Sequence, residues 1–197
     1  MRILCLADEE SKLFWDYFRK DYFEDIDLII SCGDLNSSYL TFIETMTSIP
    51  LLYVRGNHDD SYRDKAPEGC VCIEDKIVNI NGVKIMGLGG SQRYRAGGRN
   101  QYTEKEMLHR YKKLKKKIWF NKGIDILVTH APAKGFHDGD DLCHTGFEVF
   151  NHIIKKYEPK YFLHGHVHMN YGRNFPREDV MGKTRVINAF EKYIIEI

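Results

Sequence analysis

No stretch of this sequence approaches the roughly 18 consecutive apolar residues that a membrane-spanning helix needs. Charge of either sign is not in excess. The 29 basic and 28 acidic residues leave a formal net charge of +1, so overall balance argues for neither nucleic acid nor a membrane surface, and any steering must be local. Paired cysteines are lacking too. Cys5, Cys32, Cys70, Cys72 and Cys143 are odd in number, and Cys70-x-Cys72 has no second pair at zinc-finger spacing. With no signal peptide ahead of them, they read as reduced thiols of a cytoplasmic protein. Internal repeats, low-complexity tracts and linkers are absent. What remains is one domain, 1–197, with 43% hydrophobic and 29% charged residues, enough for a full core.

Residues 2–7 form an apolar run that halts at Asp8-Glu9-Glu10, a buried strand delivering acids at its end. Leu13, Phe14, Tyr17 and Phe18 recur at helical spacing behind Ser11, a candidate N-cap. Residues 27–32 predict a second strand ending at Gly33-Asp34, followed by a helix over 38–48 with Leu40, Ile43 and Met46 inward. A third strand, 51–55, ends at Gly56-Asn57-His58-Asp59. Such units argue for a parallel sheet with its polar loops on one edge.

Asn81-Gly82 between two apolar runs marks a hairpin. Residues 89–102 are a glycine- and arginine-rich loop, and Thr103-x-x-Glu106 opens a helix with Met107, Tyr111, Leu114 and Ile118 on one face. A strand over 125–129 ends at His130. A loop over 134–145 and a helix over 146–157 follow, and a strand over 161–163 runs into Gly165-His166-Val167-His168. Residues 185–189 and 193–197 are expected to close the chain as an antiparallel pair. The mixture suggests two sheets packed face to face with helices outside.

Five strand ends thus carry Asp8, Asp34, Asn57-His58, His130 and His166-x-His168. Imidazole, carboxylate and amide oxygen, with no thiolate, suit first-row dications. There are more donors than one ion can use, which favours two ions about 3.5–4 Å apart. Such a pair can generate hydroxide near neutral pH and clamp the oxygens of an in-line displacement at phosphorus.

The order Asp8…Gly33-Asp34…Gly56-Asn57-His58-Asp59…His130…Gly165-His166-Val167-His168 resembles the calcineurin-like metallophosphoesterases over nearly the whole chain. The stretch from Thr129 through Asp138 to His144-x-Gly146 is similar to a small-phosphodiesterase subgroup. The resemblance implies an α/β fold, a four-layer αββα sandwich of two mixed β-sheets flanked by helices. It also implies two divalent metal ions, manganese first, with Fe, Ni, Co, Zn or Mg as the other candidates. Asp34 would bridge both ions, Asp8 and His168 would complete one site, and Asn57, His130 and His166 the other. His58 would stabilise phosphoryl oxygens or protonate the leaving group, and Asp59 would hold the other ring nitrogen of His58. One position departs: where the family has histidine, this chain has Glu10, which either ligates as a harder donor that tilts preference toward Mn or Mg, or points away and leaves the first site weak or empty at low metal.

Each piece also has a bland reading. His164 reads as a core histidine, and His109 and His152 as surface. His137, Asp138, Asp140, Asp141 and His144 either brace a loop or meet substrate. Arg93, Arg95 and Arg99 are candidate phosphate holders, with a solvated loop as the other option. The lysines at 112–117 read as the wet face of a helix. The expected activity is phosphodiester hydrolysis on a small substrate such as a cyclic nucleotide, attacked by a metal-bridging hydroxide. The expected partner is therefore a small phosphoester, with no membrane and no specific nucleic acid; the oligomeric state is left open. The rivals are a phosphomonoesterase or phosphoprotein phosphatase, and a non-catalytic interaction module that keeps the fold.

Overall fold

The computed structural model describes residues 1–169 and 176–197. The strands of the first half, β1 (Arg2–Leu6), β2 (Leu28–Ser31), β3 (Leu51–Tyr53) and β4 (Val71–Cys72), run parallel in that order. A second sheet starts with the hairpin β5 (Lys76–Ile80) and β6 (Val83–Leu88), whose turn residues Asn81 and Gly82 have φ 50° and 91°. Those are the left-handed angles of a type I′ turn. A small parallel pair, β7 (Ser91–Gln92) and β8 (Gln101–Tyr102), stands apart. Beyond it, β9 (Ile126–Thr129) and β10 (Tyr161–His164) extend the second sheet in parallel, and β11 (Glu178–Met181) pairs antiparallel with β12 (Thr184–Asn188) at its far edge. The last strand, β13 (Tyr193–Glu196), returns to the first sheet against β1.

Residues 185–189 and 193–197 therefore do not pair with each other, contrary to the expectation above. β12 lies parallel to β10 in one sheet and β13 antiparallel to β1 in the other. Two apolar runs separated by a short link have the signature of a hairpin, but each finds a free sheet edge elsewhere. The link crosses between sheets, with Ala189 N–H on the His164 carbonyl at 2.7 Å and Phe190 bridging to Ala7.

Alternation along the strands builds four layers. Ile3, Cys5, Leu28 and Ile30 face Ile85, Ile126, Val128 and Leu163 between the two sheets. Leu4, Leu6 and Ile29 point the other way, onto Tyr39, Leu40 and Ile43 of α1 (Ser37–Thr47). On the far side Met86, Leu127 and Phe162 meet Met107, Tyr111, Leu114 and Ile118 of α2 (Glu104–Phe120) and Phe150, Ile153 and Ile154 of α3 (Glu148–Tyr157). Strands buried on both faces read as unbroken apolar runs, which is why they were conspicuous in sequence.

Two helical expectations change. The stretch behind Ser11 makes only short 3-10 turns at Lys12–Phe14 and Lys20–Phe23, and the Ser11 hydroxyl donates to Glu191 rather than capping. Met46 is 43% exposed, because α1 turns that edge to water. The Thr103–Glu106 capping box forms in full. Phe150 is fully buried with its ring 5.1 Å from Phe147 and 6.1 Å from Phe162. Phe150→Ala leaves a cavity there, and chemical denaturation is expected to show about 3–5 kcal/mol of lost stability.

Candidate metal centre

The polar strand ends meet at one edge of the sandwich because β1, β2, β3, β9 and β10 all point their C-terminal ends the same way. Three of the exit residues sit at positive φ: Asp8 at 64°, Asp34 at 56° and His166 at 69°. Left-handed backbone in non-glycine residues costs energy and persists only where the surroundings enforce it. Here it turns each side chain back over the sheet edge toward a common point.

Glycines permit the close approach. A Cβ on Gly56 would stand 2.0 Å from Asp34 Oδ1 and 2.7 Å from the His130 ring, and one on Gly165 would stand 2.5 Å from Asp8 Oδ2. The strand ends are also laced together. His166 N–H donates to both Asp8 oxygens at 3.0 and 2.9 Å, and His58 N–H donates to Asp34 Oδ1 at 2.8 Å. Asp59 Oδ2 accepts from Asp34 N–H at 2.8 Å and from Gly56 N–H at 2.7 Å. Asp59 was expected to hold the His58 ring; its carboxylate instead ties two strand-end loops together, since those amides have no other acceptor in a turn this tight.

His130 is the centre of the cluster and is wholly buried. Its Nδ1–H donates to the Cys32 carbonyl at 2.9 Å. Its Nε2 then faces Asn57 Oδ1 at 3.0 Å, Asp34 Oδ2 at 3.2 Å and His166 Nδ1 at 3.1 Å. The other His166 nitrogen, Nε2, donates to the Cys143 carbonyl at 2.8 Å, so Nδ1 presents a lone pair. With His130 neutral, four lone-pair atoms converge here, and either a proton on His130 Nε2 or a bound cation reconciles them. Asp34, His130 and His166 offer one donor atom each within 4.8 Å of one another. The residues present fit a divalent ion bound by nitrogen and oxygen.

The local charges respond in kind. Burial pushes the Asp8 carboxyl up to about 7, against the pull of His130. Burial also raises Asp59 to about 7, with the Asp34 charge adding to it. Burial alone would raise Asp34 too, but His130 and the His58 amide hold it at about 2. For His130, burial opposes the charged form, yet Asp34 and Asp8 lift it to about 9. His166 falls to about 3 through burial and the neighbouring His130. Strong shifts of opposite sign packed together mark a site built around charge.

A cavity of about 510 Å³ opens over this cluster, lined by Asp8, Asp34, His58, Tyr94, His144 and His168 among others. The His168 ring packs tilted against Phe190 at 5.0 Å, with Nε2 4.0 Å from Asp8 Oδ1. His58 is exposed on the cavity wall. His144 reaches the rim, its Nδ1 held by Asp141 at 2.7 Å and its ring 5.2 Å from His166.

Other candidates are placed elsewhere. The Glu10 carboxylate accepts from Asn36 N–H at 3.3 Å and does not line the cavity. Of the three arginines offered as phosphate holders, none lines it either. Arg93 is tied to Glu106 at 3.0 Å and to the Gln101 carbonyl, Arg95 lies over the Tyr94 ring at 6.0 Å, and Arg99 faces solvent. Arg93 serves the capping box, because its nearest carboxylate is the one that box supplies. The loop instead contributes Tyr94, whose hydroxyl is 3.4 Å from Asn57 Nδ2. Nothing in sequence separated Tyr94 from the arginines around it, and the part of Cys143 that matters is a backbone carbonyl. His164 is a core histidine as expected, fully buried and 2.9 Å from His137, which pins the 134–145 loop to β10.

Comparison with known proteins agrees with this geometry. The family profile described as calcineurin-like phosphoesterase matches residues 5–170. A UPF0046 protein of Caenorhabditis elegans is 26% identical, covering 96% of this chain and 74% of its own length. Human metallophosphoesterase domain-containing protein 1 is 24% identical over 95% of this chain, which spans 65% of the human protein. A solved structure from Thermus thermophilus shares the fold with TM-score 0.69 at 16% identity, covering 96% of this chain and 89% of its own. The ligand-type strand ends, the four-layer sandwich and a family match over most of the chain agree: this protein belongs to the calcineurin-like phosphoesterases, a family of metal-dependent phosphoester hydrolases.

Proposed function

We infer that the chain is a dinuclear phosphodiesterase acting on a small diester such as a cyclic nucleotide, with manganese as its preferred ion. The observation that carries this reading is the convergence of Asn57 Oδ1, Asp34 Oδ2 and His166 Nδ1 on His130 Nε2 beneath the cavity. Divalent ions bound there would supply Lewis-acid stabilisation of phosphoryl oxygens and a water of lowered pKa.

The chain's own residues do the rest. Asn57, His130 and His166 hold the buried side of the site, Asp8 and His168 the outer side, and Asp34 is shared between them. Glu10 joins the outer side by leaving the Asn36 amide. His58 is the one cavity imidazole out in solvent, placed to give a proton to the leaving oxygen or a hydrogen bond to the phosphoryl group. Tyr94 and His144 stand at the rim to contact the substrate. A cavity of about 510 Å³ suits a small ligand, since such sites run at about 300–1,000 Å³. Five free cysteines fit a reducing, cytoplasmic setting.

A second reading, the non-catalytic module, draws support from Glu10 being turned away from the cluster. Metal analysis of the purified protein, with rates on bis-para-nitrophenyl phosphate and para-nitrophenyl phosphate in added manganese, separates the possibilities. The expected result is two ions per chain and a faster diester reaction. A faster monoester reaction points to a phosphatase, and no hydrolysis with any dication leaves the module.

A further inference from the structure

The second half of α2 departs from an ordinary solvent face. Residues 111–123 hold Lys112, Lys113, Lys115, Lys116, Lys117 and Lys122 and no acid. Among the described residues none of these six lysines forms an ion pair, whereas Lys134 and Lys183 each hold a glutamate. The helix then ends on Trp119 and Phe120, 75% and 74% exposed, their rings edge to face at 5.0 Å. Beside them lies a concavity of about 480 Å³ lined by Lys115, Trp119, Lys122, Lys156 and Tyr157. A large aromatic side chain buries about 150–250 Å² when covered, so two left side by side in water mark a surface that something else covers.

We propose that this face docks on an anionic lipid surface, with Trp119 and Phe120 at the boundary of headgroups and acyl chains and the lysines on headgroup phosphates. Charge complementarity selects this occupant. Protein interfaces are depleted in lysine and enriched in arginine, and this patch is all lysine. Single-stranded nucleic acid wants aromatics spread along a basic groove, and here they are paired at one helix end. A lysine cluster on an amphipathic helix with tryptophan at its edge matches an interfacial contact. No helix among the described residues is long and apolar enough to cross a membrane, and the proposed contact is with the surface alone.

The placement has a consequence for the enzyme. α2 leads into the start of β9, and His130 leaves its end, so patch and metal cavity occupy opposite edges of the sheet. Docking holds the cavity facing away from the bilayer, open to soluble phosphoesters.

Trp15 and Trp119 are the only tryptophans, so Trp15→Phe leaves Trp119 as a single reporter. Co-sedimentation with phosphatidylcholine vesicles, with and without phosphatidylserine, is expected to show binding only to the anionic vesicles. That binding should weaken in high salt, and Trp119 emission should shift to the blue. Lys115→Gln and Lys122→Gln are each expected to weaken binding about 5-fold. Trp119→Ala combined with Phe120→Ala abolishes it and leaves hydrolysis of a soluble diester unchanged. Equal binding to neutral vesicles, no binding at all, or binding untouched in the double variant overturns the proposal. So does a dimer that the double variant converts to monomer, which would assign the patch to a second copy. Retention on a polyanion column without vesicle binding would assign it to nucleic acid and overturn the proposal as well.

Discussion

His58→Ala is expected to lower kcat on a generic phosphodiester by about 10²–10⁴-fold, the usual contribution of a positioned proton donor, while metal content stays at the wild-type level. The separation of the two readouts follows from the structure. His58 contributes only its backbone N–H to the Asp34 carboxylate, and alanine retains that group. Its ring stands on the cavity wall, outside the Asp34–His130–His166 cluster. The loss should therefore be greatest on substrates with poor leaving groups, which need the proton most, and smallest on nitrophenyl esters, which leave as stable anions. If His58→Ala strips the metal, the imidazole is a ligand and the assignment of roles around Asn57 is wrong. If rates are unchanged on every ester, another group delivers the proton, and His144 on the same cavity becomes the one to test.

The second large effect is on stability. A cation that binds the folded chain and not the unfolded one adds about 2.7 kcal/mol at a hundredfold excess over its Kd. For a chain of this length that corresponds to a rise of about 5–10 °C in Tm. Manganese should produce such a rise in the wild type and chelator should reverse it. Asp34→Asn is expected to abolish the shift and bring hydrolysis down to the blank, because Asp34 supplies the only carboxylate in direct reach of His130 Nε2 among the described residues. The variant should still fold, since its amide oxygen can accept the His58 N–H and its backbone N–H still reaches Asp59. A metal-dependent rise that survives Asp34→Asn would place the ion elsewhere. The one other group of suitable donors among the described residues is Asp141, Cys143 and His144 at the rim, so Cys143→Ala would then be the next variant.

Metal analysis of Glu10 variants bears on the same site. The histidine expected by resemblance is replaced by a carboxylate that leans on the N-terminal end of α1. If Glu10 stays on the Asn36 amide, Glu10→Ala is expected to leave metal content unchanged; a loss of one ion per chain would show that it ligates.

The sequence by itself determined the sandwich and the identity of the cluster. Strands buried on both faces must be continuous apolar runs, and a chain that leaves such a strand must change to polar residues there. Asp8, Asp34, Asn57, His130 and His166 were therefore visible as interruptions, in an order that resembles one family. The Thr103–Glu106 box and the Asn81-Gly82 turn were legible for a similar reason, because their geometry is set by neighbours within a few residues. Tertiary structure decided what depends on distant partners. β12 and β13 chose different sheets because each had an open edge to join. Asp59 turned to two backbone amides, Glu10 to a third, and Arg93 to the capping box, each following the nearest unmet hydrogen bond. Tyr94 reached the cavity, and Trp119 and Phe120 came to stand in water, because side-chain exposure is set by what packs opposite, and local sequence carries no record of that.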